Sequence, residues 1–152
     1  YETVDHAPIP PELIEPSSPY SHLIKKALVT TRTTGKKVDL KEGHVRLILH
    51  PYSWQECRIK DHFFDAVYHD PFAVSDNPDC WTQDCFSWSH ASLNSDGILA
   101  TYSAAGRIRR AMAAAGFFVA ISKGSGSKRE MTVAAENLEQ LSGLKFKYRP
   151  VA

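Results

Sequence analysis

Asp70-Pro71-Phe72 places a carboxylate and an aromatic ring two residues apart, directly after a run typical of a strand. A carboxylate in this position can accept a proton or a hydrogen bond from an amine, and the ring can stack on a planar base. An ammonium has no lone pair, so it must lose a proton before it attacks an electrophile. The pattern predicts chemistry on an amine, and a plain turn before Pro71 is the alternative.

Polar side chains also follow three other predicted strands, at Asp5, His50 and Tyr102. Strand and helix patterns alternate along the chain, which predicts a mostly parallel α/β sheet with helices on both faces. Ligands of such sheets collect at the carboxyl ends of the strands. We therefore expect the chemistry at these four strand ends, and Ser103 is expected to cap the helix that follows Tyr102.

The elements that must position these residues follow from hydrophobic periodicity and turn signals. The predicted strands cover residues 1–4, 44–49, 63–69, 98–102, 117–122 and 130–135, the last being the final strand. The first predicted helix has Ser18 as its N-cap and Pro19 in its first position. Three further helices are predicted at 52–59, 82–93 and 103–115. Residues 30–43 are expected to form a loop or a frayed helix end. Loops are expected at 94–97 and 123–128, and Gly116 should end the fourth helix.

The composition fits one domain over residues 1–152, because 43% apolar residues suffice for a core. The longest apolar run, 111–121, is too short to span a bilayer, and no secretory leader is visible. These features predict a cytoplasmic protein without a membrane partner. A net charge of +1 neither demands nor excludes nucleic acid.

The sequence predicts no metal site. Three cysteines are a sparse and odd set, which favours reduced thiols over a disulfide scaffold. Cys80, Cys85 and His90 could be drawn with His69 as a zinc quartet, but their spacing matches no common zinc ribbon.

Three segments carry a more specific signal: FDAVYHDPFAVSDNPDCWTQDCF, GILATYSAAGRIRRAMAAAGFFV and GSGSKREM. Over roughly 65–134 they closely resemble the methyltransferase domain of the MnmC-like tRNA modification enzymes. The resemblance implies a Rossmann-like class I methyltransferase sheet and S-adenosylmethionine as cofactor. It also implies methyl transfer to the amine of a 5-aminomethyl uridine at the wobble position of the tRNA anticodon loop. That base is single-stranded, so it can be splayed into a pocket.

The resemblance assigns substrate-side roles residue by residue. It implies that Asp70 is the catalytic carboxylate, facing the substrate and close to the cofactor. It implies that Phe72, Asn77, Pro78 and Trp81 shape the pocket of the target base. Tyr102, Lys128 and Arg129 are further candidates for substrate binding, and Tyr102 at its strand end can offer a hydroxyl to a polar ligand. Trp81 could equally be a core residue that holds the loop. A phosphate-contacting rim or a solvated face could be formed by five basic residues: Arg107, Arg110, Lys123, Lys128 and Arg129.

Two residues stand where the resemblance implies cofactor contacts. Asp5 matches an acidic residue that binds the two ribose hydroxyls, and an exposed loop aspartate is its alternative. His50-Pro51 stands where the family usually has Gly-Asp near the adenine. His50 could take that role, or it could be a satisfied structural histidine.

Enzymes of this resemblance open with a strand and a glycine-rich turn, and no such turn precedes residue 97. We therefore expect an N-terminally incomplete sheet whose central strand comes from a missing N-terminal segment or another chain, and weak cofactor binding by this chain alone. Two rival functions stay open: an N-methyltransferase for a small amine, and a non-catalytic RNA-binding remnant of this fold.

Overall fold

The computed structural model describes residues 1–17, 19–123, 130–143 and 148–150. The chain forms two compact units, Tyr1–Arg58 and Ile59–Ala152, and each has its own sheet and its own apolar core. A single domain over 1–152 stays a prediction. None of the described helices is long and apolar enough to cross a membrane.

The first unit contains three strands and one α-helix in the described residues. They are β1 (Glu2–Val4), α1 (Ser21–Thr34), β2 (Val38–Glu42) and β3 (Val45–His50). The strand order is β1-β3-β2, with β1 parallel and β2 antiparallel to β3. Helix α1 covers this sheet and buries Leu23, Ala27 and Leu28 against Leu47 and Leu49.

Helix α1 begins later than predicted. Its first residue is Ser21 and its N-cap is Tyr20, so Pro19 is not the first helical position. Ser18, the predicted cap, lies outside the described residues. The helix ends at Gly35, which takes the left-handed conformation (φ 64°) that C-caps favour.

The segment 30–43, predicted as a loop or a frayed helix end, contains the end of a helix and an unpredicted strand, and the prediction of a helix over 52–59 was wrong. Helix α1 continues to Thr34, and strand β2 follows because Val38 and Leu40 alternate with charged residues and face the core. Residues 52–59 form only a turn, in which the Cys57 amide donates to the Ser53 carbonyl at 3.1 Å.

The second unit has a five-stranded sheet in the order β4-β5-β7-β6-β8. Its strands are β4 (Phe64–His69), β5 (Leu93–Thr101), β6 (Phe118–Lys123), β7 (Glu130–Ala135) and β8 (Tyr148–Pro150). Its helices are α2 (Gln83–Ser92), α3 (Gly106–Ala114) and α4 (Leu138–Gly143), and a 3-10 turn covers Pro78–Trp81.

The prediction of a mostly parallel sheet was wrong, because both sheets are mixed. In the second unit only β4 and β5 run parallel, and the other described pairings are antiparallel. The six residues between β6 and β7 are too few for the crossover that a parallel pair requires. Strand β7 is also not the last element, since α4 and β8 follow it.

Helices cover both faces of this second sheet, as predicted. On one face Phe86, Ile108 and Met112 from α2 and α3 pack on Leu99 and Ala134. On the other face Ala120, Val133 and Ala135 of the neighbouring strand positions pack against Leu141 of α4. Side chains alternate across a strand, so adjacent residues serve opposite cores.

The predicted turn at 94–97 lies inside strand β5. The register between β4 and β5 shifts between Phe64 and Ala66, which accommodates the extra residues as a bulge. Ser103 is likewise not a helix cap: α3 begins at Gly106 with Ala105 as N-cap, and the Ser103 carbonyl accepts a hydrogen bond from Thr132.

Gly97 is the residue that permits this bulge. A Cβ at this position would lie 2.9 Å from the backbone oxygen of Phe64 and 2.6 Å from Leu93 Cδ2. We expect Gly97→Ala to lower the free energy of unfolding by about 1–3 kcal/mol, because the backbone of β4 must shift. Urea unfolding measures this loss. Gly43→Ala is the control, because a Cβ added at Gly43 contacts no atom and only strains the positive φ of that residue. A urea midpoint of Gly97→Ala equal to that of wild type would contradict the close approach of Gly97 to Phe64 and Leu93.

Candidate functional site

The loop Asp70–Phe72 leaves the carboxyl end of β4 and is held by two hydrogen bonds to its backbone. The hydroxyl of Tyr102 donates to the Pro71 carbonyl at 2.9 Å, and the indole N–H of Trp81 donates to the Phe72 carbonyl at 2.9 Å. We call these three residues the substrate loop. The two bonds leave its side chains free to point outward while its backbone is fixed.

The substrate loop presents a carboxylate and a ring to solvent. Asp70 is exposed, and Phe72 keeps 72% of its surface exposed. Burial, with smaller contributions from the Asp70 and Asp76 charges, raises the pKa of Tyr102. Tyr102 therefore stays a neutral hydroxyl that can donate to Pro71.

Trp81 is a core residue. Only 5% of its surface is exposed, and its ring meets those of His69 and Tyr102 edge-on, with centroids 5.0 and 5.7 Å away. Because its N–H holds the Phe72 carbonyl, the geometry favours the alternative in which Trp81 supports the loop from within.

Asn77 and Pro78 begin the 3-10 turn that carries Trp81. The Asn77 amide donates to the Ala73 carbonyl at 2.9 Å, and Pro78 occupies the first position of the turn. Asn77 is half-buried and Pro78 is exposed. Both residues thus lie next to the substrate loop, and a pocket for a base at this place stays a prediction.

His69, the last residue of β4, has a role that the sequence did not indicate. Its ring lies between Trp81 and Phe86, with centroids 5.0 and 4.9 Å away, and its Nε2 is buried without a hydrogen-bond partner in the described residues. Burial lowers its pKa from 6.5 to about 4, although a backbone hydrogen bond with Cys80 acts in the opposite direction. His69 is therefore a neutral part of the core near pH 7. No three His, Cys, Asp or Glu side chains of the described chain are placed to hold a metal ion.

The shifted pKa of His69 makes the stability of the fold depend on pH. A histidine in the unfolded chain takes up a proton near pH 6.5, whereas folded His69 does so only near pH 4. The stabilisation is thus complete above pH 6.5 and is lost as pH falls through this window. Between pH 6.5 and about pH 4, we expect the titration of His69 to lower the free energy of unfolding by about 3 kcal/mol.

Urea unfolding at a series of pH values measures this loss, which the variant His69→Leu should not show. His6→Leu, at an exposed position, is the matched control and should behave as wild type. Equal pH slopes for wild type and His69→Leu would show that His69 is not the group responsible.

In the first unit, Asp5 and His50 come together because β1 and β3 are parallel and end side by side. The Asp5 amide donates to the His50 carbonyl at 3.0 Å. Asp5 Oδ1 accepts from the Ala7 amide at 3.0 Å, which fixes the carboxylate. The described residues supply no donor for Oδ2, so this half-buried carboxylate retains acceptor capacity for a diol.

His50 is buried, with 3% of its surface exposed, and its Nε2 is bonded to a carboxylate oxygen of Glu2 on the neighbouring strand. A buried imidazole with a bonded nitrogen is typical of a structural histidine. The geometry favours that alternative over a contact with adenine, and the pair joins the ends of β1 and β3.

The predicted phosphate rim is only partly described. Arg107, Arg110 and Lys123 are exposed, whereas Lys128 and Arg129 lie outside the described residues, as does the loop 124–129. The arginine between the two exposed ones is buried: Arg109 keeps 8% exposure and forms an ion pair with Glu130 at 3.4 Å. Helical spacing alone did not reveal that Arg109 points inward.

An apolar groove of about 280 Å³ lies on the face of the second sheet opposite Trp81. Ala66, Tyr68, Ile98 and Met131 line it, and of the predicted site residues that the structure describes only Lys123 takes part. The substrate loop is therefore not part of this groove.

A family model of S-adenosyl-L-methionine-dependent methyltransferases matches residues 16–137. The chain belongs to this methyltransferase family. The family depends on S-adenosyl-L-methionine, and the predicted relationship to MnmC-like proteins is confirmed by the relatives below.

One relative is the tRNA 5-methylaminomethyl-2-thiouridine biosynthesis bifunctional protein MnmC of Marinomonas sp. (strain MWYL1), which is 34% identical over 102 residues, 66% of this chain. The protein of that name from Nitrosospira multiformis is 37% identical over 89 residues, 59% of this chain. The methyltransferase chain spans only 15% and 14% of their lengths.

The crystal structure of MNMC2 from Aquifex aeolicus is similar to this methyltransferase with a TM-score of 0.56 and 28% identity. The match covers 82% of this chain and 39% of that one. The predicted α/β class of the methyltransferase is thereby confirmed, with two mixed sheets in place of a mostly parallel one.

Proposed function

We propose that this methyltransferase transfers a methyl group from S-adenosylmethionine to the amine of a 5-aminomethyl uridine at the wobble position of a tRNA. The observation that carries the proposal is the substrate loop, whose backbone is fixed by Tyr102 and Trp81 while Asp70 and Phe72 face solvent. The names of the relatives supply the substrate class, since both are tRNA 5-methylaminomethyl-2-thiouridine biosynthesis proteins.

Asp70 is the group that handles the amine. Its exposed carboxylate accepts a hydrogen bond from the ammonium, takes one proton and leaves the nitrogen with a lone pair. With S-adenosylmethionine bound, this nitrogen would form the new N–C bond as the S–C bond of the sulfonium breaks, and a second proton would leave to solvent. Most of the rate enhancement comes from holding the amine in line, which a fixed loop backbone favours.

Phe72 provides the surface for the base. A wobble uridine is unstacked in its loop, and stacking on an aromatic ring contributes about 1–3 kcal/mol per base. With 72% of its surface exposed, the Phe72 ring is open to such a partner. Asn77, whose amide donates to the carbonyl of the neighbouring Ala73, and Pro78 would border the base.

Asp5 is the group that would hold the cofactor ribose. Its Oδ1 is fixed by the Ala7 amide, and its Oδ2 retains acceptor capacity, which fits a pair of hydroxyls. When bound, S-adenosylmethionine supplies an electrophilic methyl group. His50 acts here through its carbonyl, which holds the Asp5 backbone, and through its pair with Glu2.

Transfer of labelled methyl groups to defined acceptors tests this proposal. The chain, at saturating S-adenosylmethionine, is offered an anticodon stem-loop with 5-aminomethyl uridine at the wobble position, and a stem-loop with plain uridine as matched control. We expect label only in the aminomethyl stem-loop. Label in neither stem-loop would overturn the proposal.

Two rival functions give different results in the same assay. A small-amine methyltransferase would label free alkylamines equally well, and its activity would not depend steeply on salt. A non-catalytic RNA-binding remnant would bind both stem-loops in a salt-dependent way and label neither. Each of these outcomes would replace the proposed function.

A further inference from the structure

A row of polar side chains crosses the second sheet next to the substrate loop. His69 is paired in register with Thr101, and Thr101 with Thr132. We call these three residues the polar row. The next positions on the same face, two residues before His69 and Thr101 and two after Thr132, are apolar: Val67, Leu99 and Ala134. Positions two apart share a face, so the polar row extends the core under α2 and α3 at the ends of β4 and β5.

Thr132 is the most connected member of this row. It is fully buried, and its hydroxyl donates to the Ser103 carbonyl at 2.6 Å while it accepts from Arg109 Nε at 3.1 Å. One hydroxyl thus joins strand β7, helix α3 and the segment between β5 and α3. A buried hydroxyl used twice is costly to remove, because both partners lose their bond.

Arg109 adds a buried charge to this connection. Its guanidinium is 9% exposed, and its Nη2 is 3.4 Å from Glu130, whose side chain is 44% exposed. Burying a charge costs free energy that an apolar residue would avoid. The bond from its Nε occupies the Thr132 hydroxyl as an acceptor while that hydroxyl donates to the Ser103 carbonyl.

The connection ends at the substrate loop. Ser103 directly follows Tyr102, and the Tyr102 hydroxyl donates to the Pro71 carbonyl at 2.9 Å. Fixing the Ser103 carbonyl therefore fixes the backbone from which the Tyr102 side chain reaches Pro71. We propose that Thr132 and Arg109 are positioning residues that set the substrate loop through Tyr102; the activity part of this inference rests on the proposed function.

Two substitutions at Thr132 separate positioning from packing. Thr132→Val keeps the shape and removes the hydroxyl, whereas Thr132→Ser keeps the hydroxyl. We expect Thr132→Val to lower kcat about 10- to 100-fold, because a small displacement of the reacting groups has effects of this size. Thr132→Ser should restore kcat to within about threefold, and the KM for S-adenosylmethionine should not change in either variant. A wild-type kcat in folded Thr132→Val would overturn the inference.

Hydrogen exchange gives a readout that needs no activity. Asp76 and Asn77 donate their amides to the Ala73 carbonyl, so exchange across 70–77 reports on the substrate loop and its continuation. We expect Thr132→Val, but not Thr132→Ser, to accelerate this exchange about tenfold. Val133→Ala, on the opposite face of β7, is the control for general destabilisation. Equal acceleration by Val133→Ala at matched stability would reduce Thr132 to a structural role.

A double-variant cycle tests the path itself, and it covers the case in which Thr132→Val fails to fold. Tyr102→Phe removes only the hydroxyl that reaches Pro71. If Arg109 and Thr132 act through Tyr102, adding Arg109→Gln or Thr132→Val to Tyr102→Phe should accelerate exchange of 70–77 little further. If the fold-changes in exchange of the two single variants simply multiply in the double variant, the path through Tyr102 is overturned. If wild type shows no methyl transfer while the cycle is coupled, the proposed function fails and the positioning of the loop stands.

Discussion

Asp70→Asn is expected to lower kcat for methyl transfer by about 100- to 10,000-fold, the range over which a positioned base contributes. The amide cannot take the proton of the ammonium, yet it occupies the same volume. Asp70 is exposed, so the free energy of unfolding should change by less than about 0.5 kcal/mol. Single-turnover kinetics with the aminomethyl stem-loop measures the effect on chemistry.

Asp76→Asn is the matched control for this experiment. Asp76 is the second carboxylate whose charge acts on Tyr102, and it is also exposed. Removing it changes the net charge by the same amount without removing Asp70, the carboxylate that we propose faces the amine. We expect less than about a threefold loss of kcat for Asp76→Asn. Equal losses in the two variants would show that the charge of the region, rather than the Asp70 carboxylate, matters.

Substitution of Trp81 is expected to give the second large effect, on both the free energy of unfolding and kcat. Trp81→Ala removes a buried ring from the core and should cost about 3–5 kcal/mol of unfolding free energy. Trp81→Phe retains an aromatic ring but cannot donate to the Phe72 carbonyl, and its cost should be about 1–3 kcal/mol. Urea unfolding of both variants measures these losses.

The activity of Trp81→Phe then separates support of the loop from packing. We expect a loss of kcat of about tenfold or more at a temperature where the variant is fully folded, because the Phe72 end of the loop is released. Phe86→Leu is the control, since Phe86 belongs to the same core but makes no bond to the loop. Wild-type kcat in folded Trp81→Phe would contradict the role of the indole N–H.

The sequence predicted those elements whose signals are local. Strand β7 has the predicted bounds, and β4 and β6 begin one residue later than predicted. Helix α2 follows its predicted start because the Thr82 hydroxyl accepts from the Cys85 amide, a bond that the capping pattern encodes. Gly116 was expected to end a helix, and it directly follows Ala115, the C-cap of α3, with φ 102°.

Strand direction and the bulge in β5 could not be predicted in the same way. Asn94–Gly97 has the composition of a turn, and only the pairing of β5 with β4 draws these residues into a strand. The antiparallel pairing of β7 with β5 depends likewise on a neighbour distant in the sequence, since Thr101 and Thr132 are paired. Local propensity does not contain that information.

The residues of the candidate site show the same difference between local signals and contacts with other elements. Asp70, Phe72 and Asp5 were predicted because a functional group at a strand end is visible in one short segment. His69, Arg109 and Thr132 went unpredicted as site residues because their roles depend on partners in other elements, 12 to 29 residues away. Trp81 was identified, but its role in supporting the loop follows only from its bond to Phe72.

The central claim is that this methyltransferase acts on the amine of a wobble 5-aminomethyl uridine. Mass spectrometry of nucleosides from tRNA incubated with the chain and S-adenosylmethionine tests it most directly, with Asp70→Asn in parallel. We predict one added methyl group on the side-chain amine of the wobble uridine with wild type, and none with Asp70→Asn. Methylation at any other nucleoside, or equal methylation by Asp70→Asn, would contradict the account.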